Sequence, residues 1–204
     1  MKLIQMIQSC IKLFVLCVLL TGCGQKNNNS EKLSSVPPIN NELLDEQDII
    51  EILFEIKTND PEYLKSFPDG IIPWISIEDV DQELKQLIGK NEIVLTENEV
   101  DVTIDYPVDE PFNISLKSDK PSGFTRGELI LKISKEYKRI YKEEEASAKE
   151  KTIPIEKREG VINRNTTDGK YGIWGHDLGD LDLSEIIVHR KSGKKTRLEL
   201  YIES

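Results

Sequence analysis

Cysteine, histidine and long apolar runs are all scarce in this chain, and each shortage removes a class of function. The three cysteines, Cys10, Cys17 and Cys23, all fall in the first 23 residues, so the rest of the chain has no sulfur for a disulfide, a thiolate metal site or a cysteine nucleophile. Only two histidines are present, His176 and His189, with neither the two-histidine zinc spacing nor an EF-hand pattern around them. The glycines form no G-x-G-x-x-G array and no phosphate loop, so neither cofactor nor metal is expected. Basic residues are outnumbered 27 to 37, a net charge of −10 that repels nucleic acid and anionic lipid surfaces. The longest apolar run, Leu13 to Leu20, is far short of the roughly 20 residues of a membrane-spanning helix.

That short run does have a recognisable setting. Lys2 and Lys12 precede it, and small residues and a cysteine follow it in Leu20-Thr21-Gly22-Cys23, the layout of a secretory signal peptide. The tetrapeptide resembles the lipobox of bacterial lipoproteins. The resemblance implies cleavage before Cys23, a diacylglyceryl group on its thiol, acylation (palmitate) of the new amino terminus, and a lipid bilayer as partner. It places the protein on the exported side of a bacterial cell membrane or outer membrane, and Gly24 at the following position leaves the outer membrane open. Cys10 and Cys17 would depart with residues 1–22. Residues 23–40, rich in Asn, Ser, Lys and Pro, then read as a flexible tether spanning on the order of 20–25 Å.

Residues 41–90 read as a helical subdomain. Ile49, Ile52, Leu53 and Ile56 share one helical face, Asp60-Pro61 opens a short helix, and Ser76 caps another whose stripe is Ile77, Val80, Leu84, Leu87 and Ile88, stopped by Gly89. Residues 91–204 read as an α+β domain. Ile93 to Leu95, Val100 to Tyr106 and Phe112 to Leu116 make an antiparallel meander, and Glu185 to His189 with Arg197 to Ile202 a C-terminal hairpin. Between them, Thr125 and Glu128 have the spacing of a capping box, and Phe124 and Leu129 that of a hydrophobic staple. They start a long helix that buries Ile130, Ile133, Tyr137, Ile140 and Tyr141 against the sheet. The fold class is therefore α+β: a helical N-terminal part, then an antiparallel sheet with one long helix packed on it. A charged loop is expected over about 143–170, and basic residues from Arg190 to Arg197 crowd the hairpin tip.

One stretch concentrates chemistry, Tyr171-Gly172-Ile173-Trp174-Gly175-His176-Asp177-Leu178-Gly179-Asp180-Leu181-Asp182-Leu183. Trp174, His176, Asp177 and Asp180 are the candidate ligand or partner site; the competing reading has them holding a buried loop through backbone hydrogen bonds. With Gly123 to Leu129 and Tyr137 to Glu144, this stretch resembles a domain of uncharacterised proteins, which carries no activity across but implies that helix and loop are one unit.

Three functions follow. The first is a membrane-anchored envelope lipoprotein acting as a non-enzymatic binding or interaction module. The second is an envelope hydrolase using His176 and Asp177 with a serine such as Ser184. The third is an immunity-type inhibitor whose acidic body meets a basic toxin.

Overall fold

The stretch Ile49-Ile50-Glu51-Ile52-Leu53-Phe54-Glu55-Ile56 satisfies two periodicities at once, and the strand period prevails. In the computed structural model, which describes residues 49–160 and 163–204, it forms strands β1 (Ile49–Leu53) and β2 (Ile56–Lys57). Ile52, Phe54 and Ile56 are buried, whereas Leu53, a member of the expected helical stripe, is 47% exposed. Isoleucine is stiff at χ1 and suits a pleated, half-buried surface, and the long strand β9 (Asp182–His189) is there to pair with β1. Residues 41–48 of the expected helix lie outside the described residues.

The other expected N-terminal helices contract similarly. Asp60 Oδ1 accepts the Glu62 N–H at 2.8 Å, but only a 3-10 turn, Tyr63–Lys65, follows. The stripe after Ser76 yields a single turn, α1 (Val80–Glu83), after the two-residue strands β3 (Ile71–Ile72) and β4 (Ile75–Ser76). The helical N-terminal part is thus corrected: among the described residues the fold is dominated by sheet and carries one long helix.

The remaining strands are β5 (Ile93–Leu95), β6 (Glu99–Ile104), β7 (Phe112–Lys117), β8 (Phe124–Thr125) and β10 (Arg197–Glu203). The main sheet runs β1-β9-β10-β6-β7, with β4 beside the start of β9. Two features depart from the antiparallel meander. β5 leaves the sheet to pair with β8, and β10 lies parallel to β6, with Arg197 opposite Asp101. The sheet is therefore mixed, its parallel pair joining two antiparallel hairpins.

The long helix, α2 (Arg126–Ser147), begins where its signature places it. Thr125 Oγ1 accepts the Glu128 N–H at 3.2 Å, while the Glu128 carboxylate turns away to accept the Asp119 N–H at 2.6 Å, so half of the reciprocal box forms. Leu129, Ile130, Ile133, Tyr137 and Ile140 are buried in one core with Val100, Val102, Ile104, Leu183, Ile186, Val188 and Leu198 from the inner sheet face. The outer face is wet: Lys195 Nζ contacts Glu99 at 2.8 Å and Asp101 at 2.6 Å, and His189 Nε2 lies 2.8 Å from Glu199. Among the described residues, no helix is long and apolar enough to cross a membrane.

Candidate binding site

The candidate loop is set by the last turns of α2. Glu144, in a sequence of charged residues, is fully buried. Its carboxylate accepts hydrogen bonds from Thr167 Oγ1 (2.6 Å) and from the N–H groups of Gly169 (2.8 Å), Tyr171 (2.7 Å) and Gly172 (3.2 Å). Burial pushes its pKa up, but these bonds outweigh that and hold it below the ordinary carboxylate range. Gly169 has no space for a side chain, because a Cβ there would sit 2.6 Å from Glu144. The segment before the loop runs antiparallel to it: Arg164 N–H reaches the Gly175 carbonyl at 3.2 Å, and Thr167 N–H the Ile173 carbonyl at 2.9 Å.

The charged stretch from Glu143 onward is tied down at several points. The helix continues to Ser147, and the Lys149 and Glu150 N–H groups both donate to Asp168 at 2.8 Å. Arg158 grips Asp177 through two bonds of 2.6 and 2.9 Å, with its own side chain only 6% exposed. Arg164, which is buried, donates to Thr152 Oγ1 (2.6 Å) and the Ile173 carbonyl (3.0 Å), and stands over the Tyr141 ring.

The four candidate residues divide into two pairs. Asp177 is occupied by Arg158, and Asp180 accepts the Asp177 N–H at 2.8 Å, so both carboxylates stabilise the loop itself. Trp174 and His176 sit instead with Tyr106, whose ring is 5.1 Å from Trp174 at 84° and 5.3 Å from His176. Trp174 keeps 36% of its surface exposed. Its backbone N–H is held by the Pro107 carbonyl at 3.2 Å, and Tyr141 donates its hydroxyl to the His176 carbonyl at 2.9 Å. Tyr137, buried beneath, donates to the Tyr106 carbonyl at 3.0 Å. The backbone of this aromatic corner is therefore fixed from the core, while its indole remains open to a partner.

Beside it, Tyr171 stacks on Phe112 at 5.0 Å and lines an open cleft of about 790 Å³ with Asp109, Arg139 and Lys170. The two cations are compensated: Glu143 receives Arg139 and Lys170 at 2.7 Å each and the Tyr171 hydroxyl at 2.7 Å, which lowers its pKa to about 2.

Among the described residues no hydrogen bond joins His176 to Asp177 or Ser184, and Ser184 Oγ donates to the Tyr201 carbonyl at 3.2 Å. Nor do the described residues hold a group of three His, Cys, Asp or Glu able to bind a metal. Cys23 lies outside the described residues.

Nothing in the sequence marks Tyr106 or Glu144. The first sits in an alternating strand pattern and the second in a charge run, so each resembled its neighbours. His189 has no acidic neighbour at useful spacing in the sequence and reads there as incidental; its partner Glu199 becomes adjacent only through the strand register of β9 and β10. No family model, no curated protein and no solved structure matches this chain.

Proposed function

We propose that this protein is an envelope lipoprotein, anchored in a bacterial membrane through acylated Cys23, whose body is a non-enzymatic binding module using the Tyr106–Trp174–His176 corner. Supporting the anchor are the charged-then-apolar leader, the Leu20-Thr21-Gly22-Cys23 tetrapeptide and the polar stretch behind it. The observation that carries the binding role is Trp174: a large aromatic side chain left 36% exposed on a backbone that the core holds rigidly. Rigid, partly exposed tryptophan is the residue type that dominates interface energetics.

The hydrolase reading loses ground because Asp177 is committed to Arg158. The immunity-type reading keeps the support of the net charge of −10, and it predicts association that weakens steeply with salt.

Two experiments test the proposal. Expression in a bacterium with a clickable palmitate analogue should label the wild-type chain in the membrane fraction, and Cys23→Ala should be unlabelled and soluble. A photo-crosslinking residue at position 174 should trap a defined partner in the envelope, whereas the same residue at Glu156 should not. An unlabelled wild-type chain defeats the anchor, and equal trapping at both positions defeats the corner.

A further inference from the structure

The second surface of interest is the outer edge of β1, which ends the main sheet. Phe54 N–H donates to the Ser184 carbonyl at 2.9 Å, so by the alternation of an antiparallel ladder Ile50 and Ile52 also face β9. Ile49, Glu51 and Leu53 then point their backbone groups away from it. Downstream, that outward edge is closed: the Arg126 guanidinium donates to the Leu53 carbonyl, and Ile88 N–H to the Glu55 carbonyl at 2.9 Å. Upstream it is open, for among the described residues neither the N–H and C=O of Glu51 nor the N–H of Leu53 has a partner. Open edges of this kind are templates for strand addition.

The edge borders a groove of about 410 Å³ between β1 and β5. Ile50, Leu53 and Ile93, 38%, 47% and 48% exposed, give it apolar walls, and Glu51, Glu55 and Glu92 line it with negative charge against the single cation Arg126. Arg126 is already engaged by Glu92 at 2.9 Å. The acidity narrows the choice of occupant. A second copy pairing edge to edge would bring these carboxylates against its own, and an anionic surface would be repelled.

We infer that this groove binds an extended segment of another protein in which apolar and basic residues alternate, added as a strand to the outer edge of β1. Its backbone would pair with Glu51 and Leu53, its apolar side chains would lie on the face of Ile50, and its cations would meet Glu51 on the opposite face, with Glu55 and Glu92 lining the same groove. The inference stands apart from the lipid anchor and from the aromatic corner, and fails separately from both.

The test uses the full chain, isotope-labelled, titrated with a capped hexapeptide of alternating lysine and valine. The backbone amide signals of Glu51 and Leu53 should shift. A glutamate–valine peptide, and a lysine–valine peptide N-methylated on alternate amides, should each bind at least about tenfold more weakly. Glu51→Lys, with its fold verified by circular dichroism, should lose about tenfold as well. Because the N-methylated peptide leaves the protein untouched, a misfolded variant does not rescue the idea. Three results would overturn it: Glu51 and Leu53 unmoved at millimolar peptide, equal binding of plain and methylated peptides, or protection of those amides without peptide. Protection that grows with protein concentration would assign the edge to a second copy, and protection lost in a Lys26→Glu, Lys32→Glu double variant would assign it to the chain's own tether.

Discussion

Glu144 and Glu99 are the same side chain in opposite circumstances. Glu144 is enclosed and receives three backbone N–H groups and one hydroxyl from a loop more than twenty residues away, so its charge organises structure. Glu99 is exposed on the wet face of the sheet, where Lys195 and Ser115 share it and hold its pKa at about 2. A low pKa by itself therefore does not identify an important carboxylate; what matters is whether the groups paired with it have water as an alternative.

Substitutions make that difference measurable. Glu144→Ala removes a buried acceptor from four donors, two buried and two part-buried, and is expected to cost about 3–5 kcal/mol in denaturant unfolding. Ile133→Ala, at the centre of the buried face of α2, gives a scale for comparison at about 2–4 kcal/mol. Glu99→Ala should leave the unfolding curve essentially where it is, since its pairs lie in water. An equal cost at positions 144 and 99 would dissolve the contrast.

Protonation sharpens it further, and the signs differ between groups. Glu97, bonded to Arg190 at 2.6 Å and to Thr196, has its pKa lowered from 4.5 to about 2. Like Glu144, it contributes stability above the ordinary carboxyl range that is lost as pH falls through its folded value. Asp182 runs the other way. Burial, with Glu83 and Glu203 nearby, raises it from 3.8 to about 6, so the folded state holds the extra proton and stability falls as pH rises between those values. Asp182→Asn should remove that decline and stabilise the protein at pH 7 by about 1 kcal/mol, allowing for water around a half-exposed carboxyl. Unfolding curves at pH 4 and pH 7 check it: the gain should appear at pH 7 and shrink at pH 4.

The start of α2, its buried stripe and the C-terminal hairpin were legible in the sequence because local rules determine them: a cap at Thr125, a 3.6-residue period, and two strands about a short turn. β1 was not, since Ile49 to Ile56 fits either period and only the presence of β9 decides between them. The parallel pairing of β6 with β10 is non-local and leaves no mark on either strand. The site divided in the same way. The density of residues from Tyr171 to Leu183 located it, but the roles within it depend on Arg158, Glu144 and Tyr106, none of which neighbours it in sequence.

The division of the loop into a structural carboxylate half and a presenting aromatic half is tested most directly by thermal unfolding of Asp177→Ala and His176→Ala side by side. Removing the bidentate partner of part-buried Arg158 should lower the melting temperature of Asp177→Ala by about 5–10 °C, while His176→Ala should stay within about 2 °C of wild type. A large loss in His176→Ala with Asp177→Ala unchanged would contradict the account.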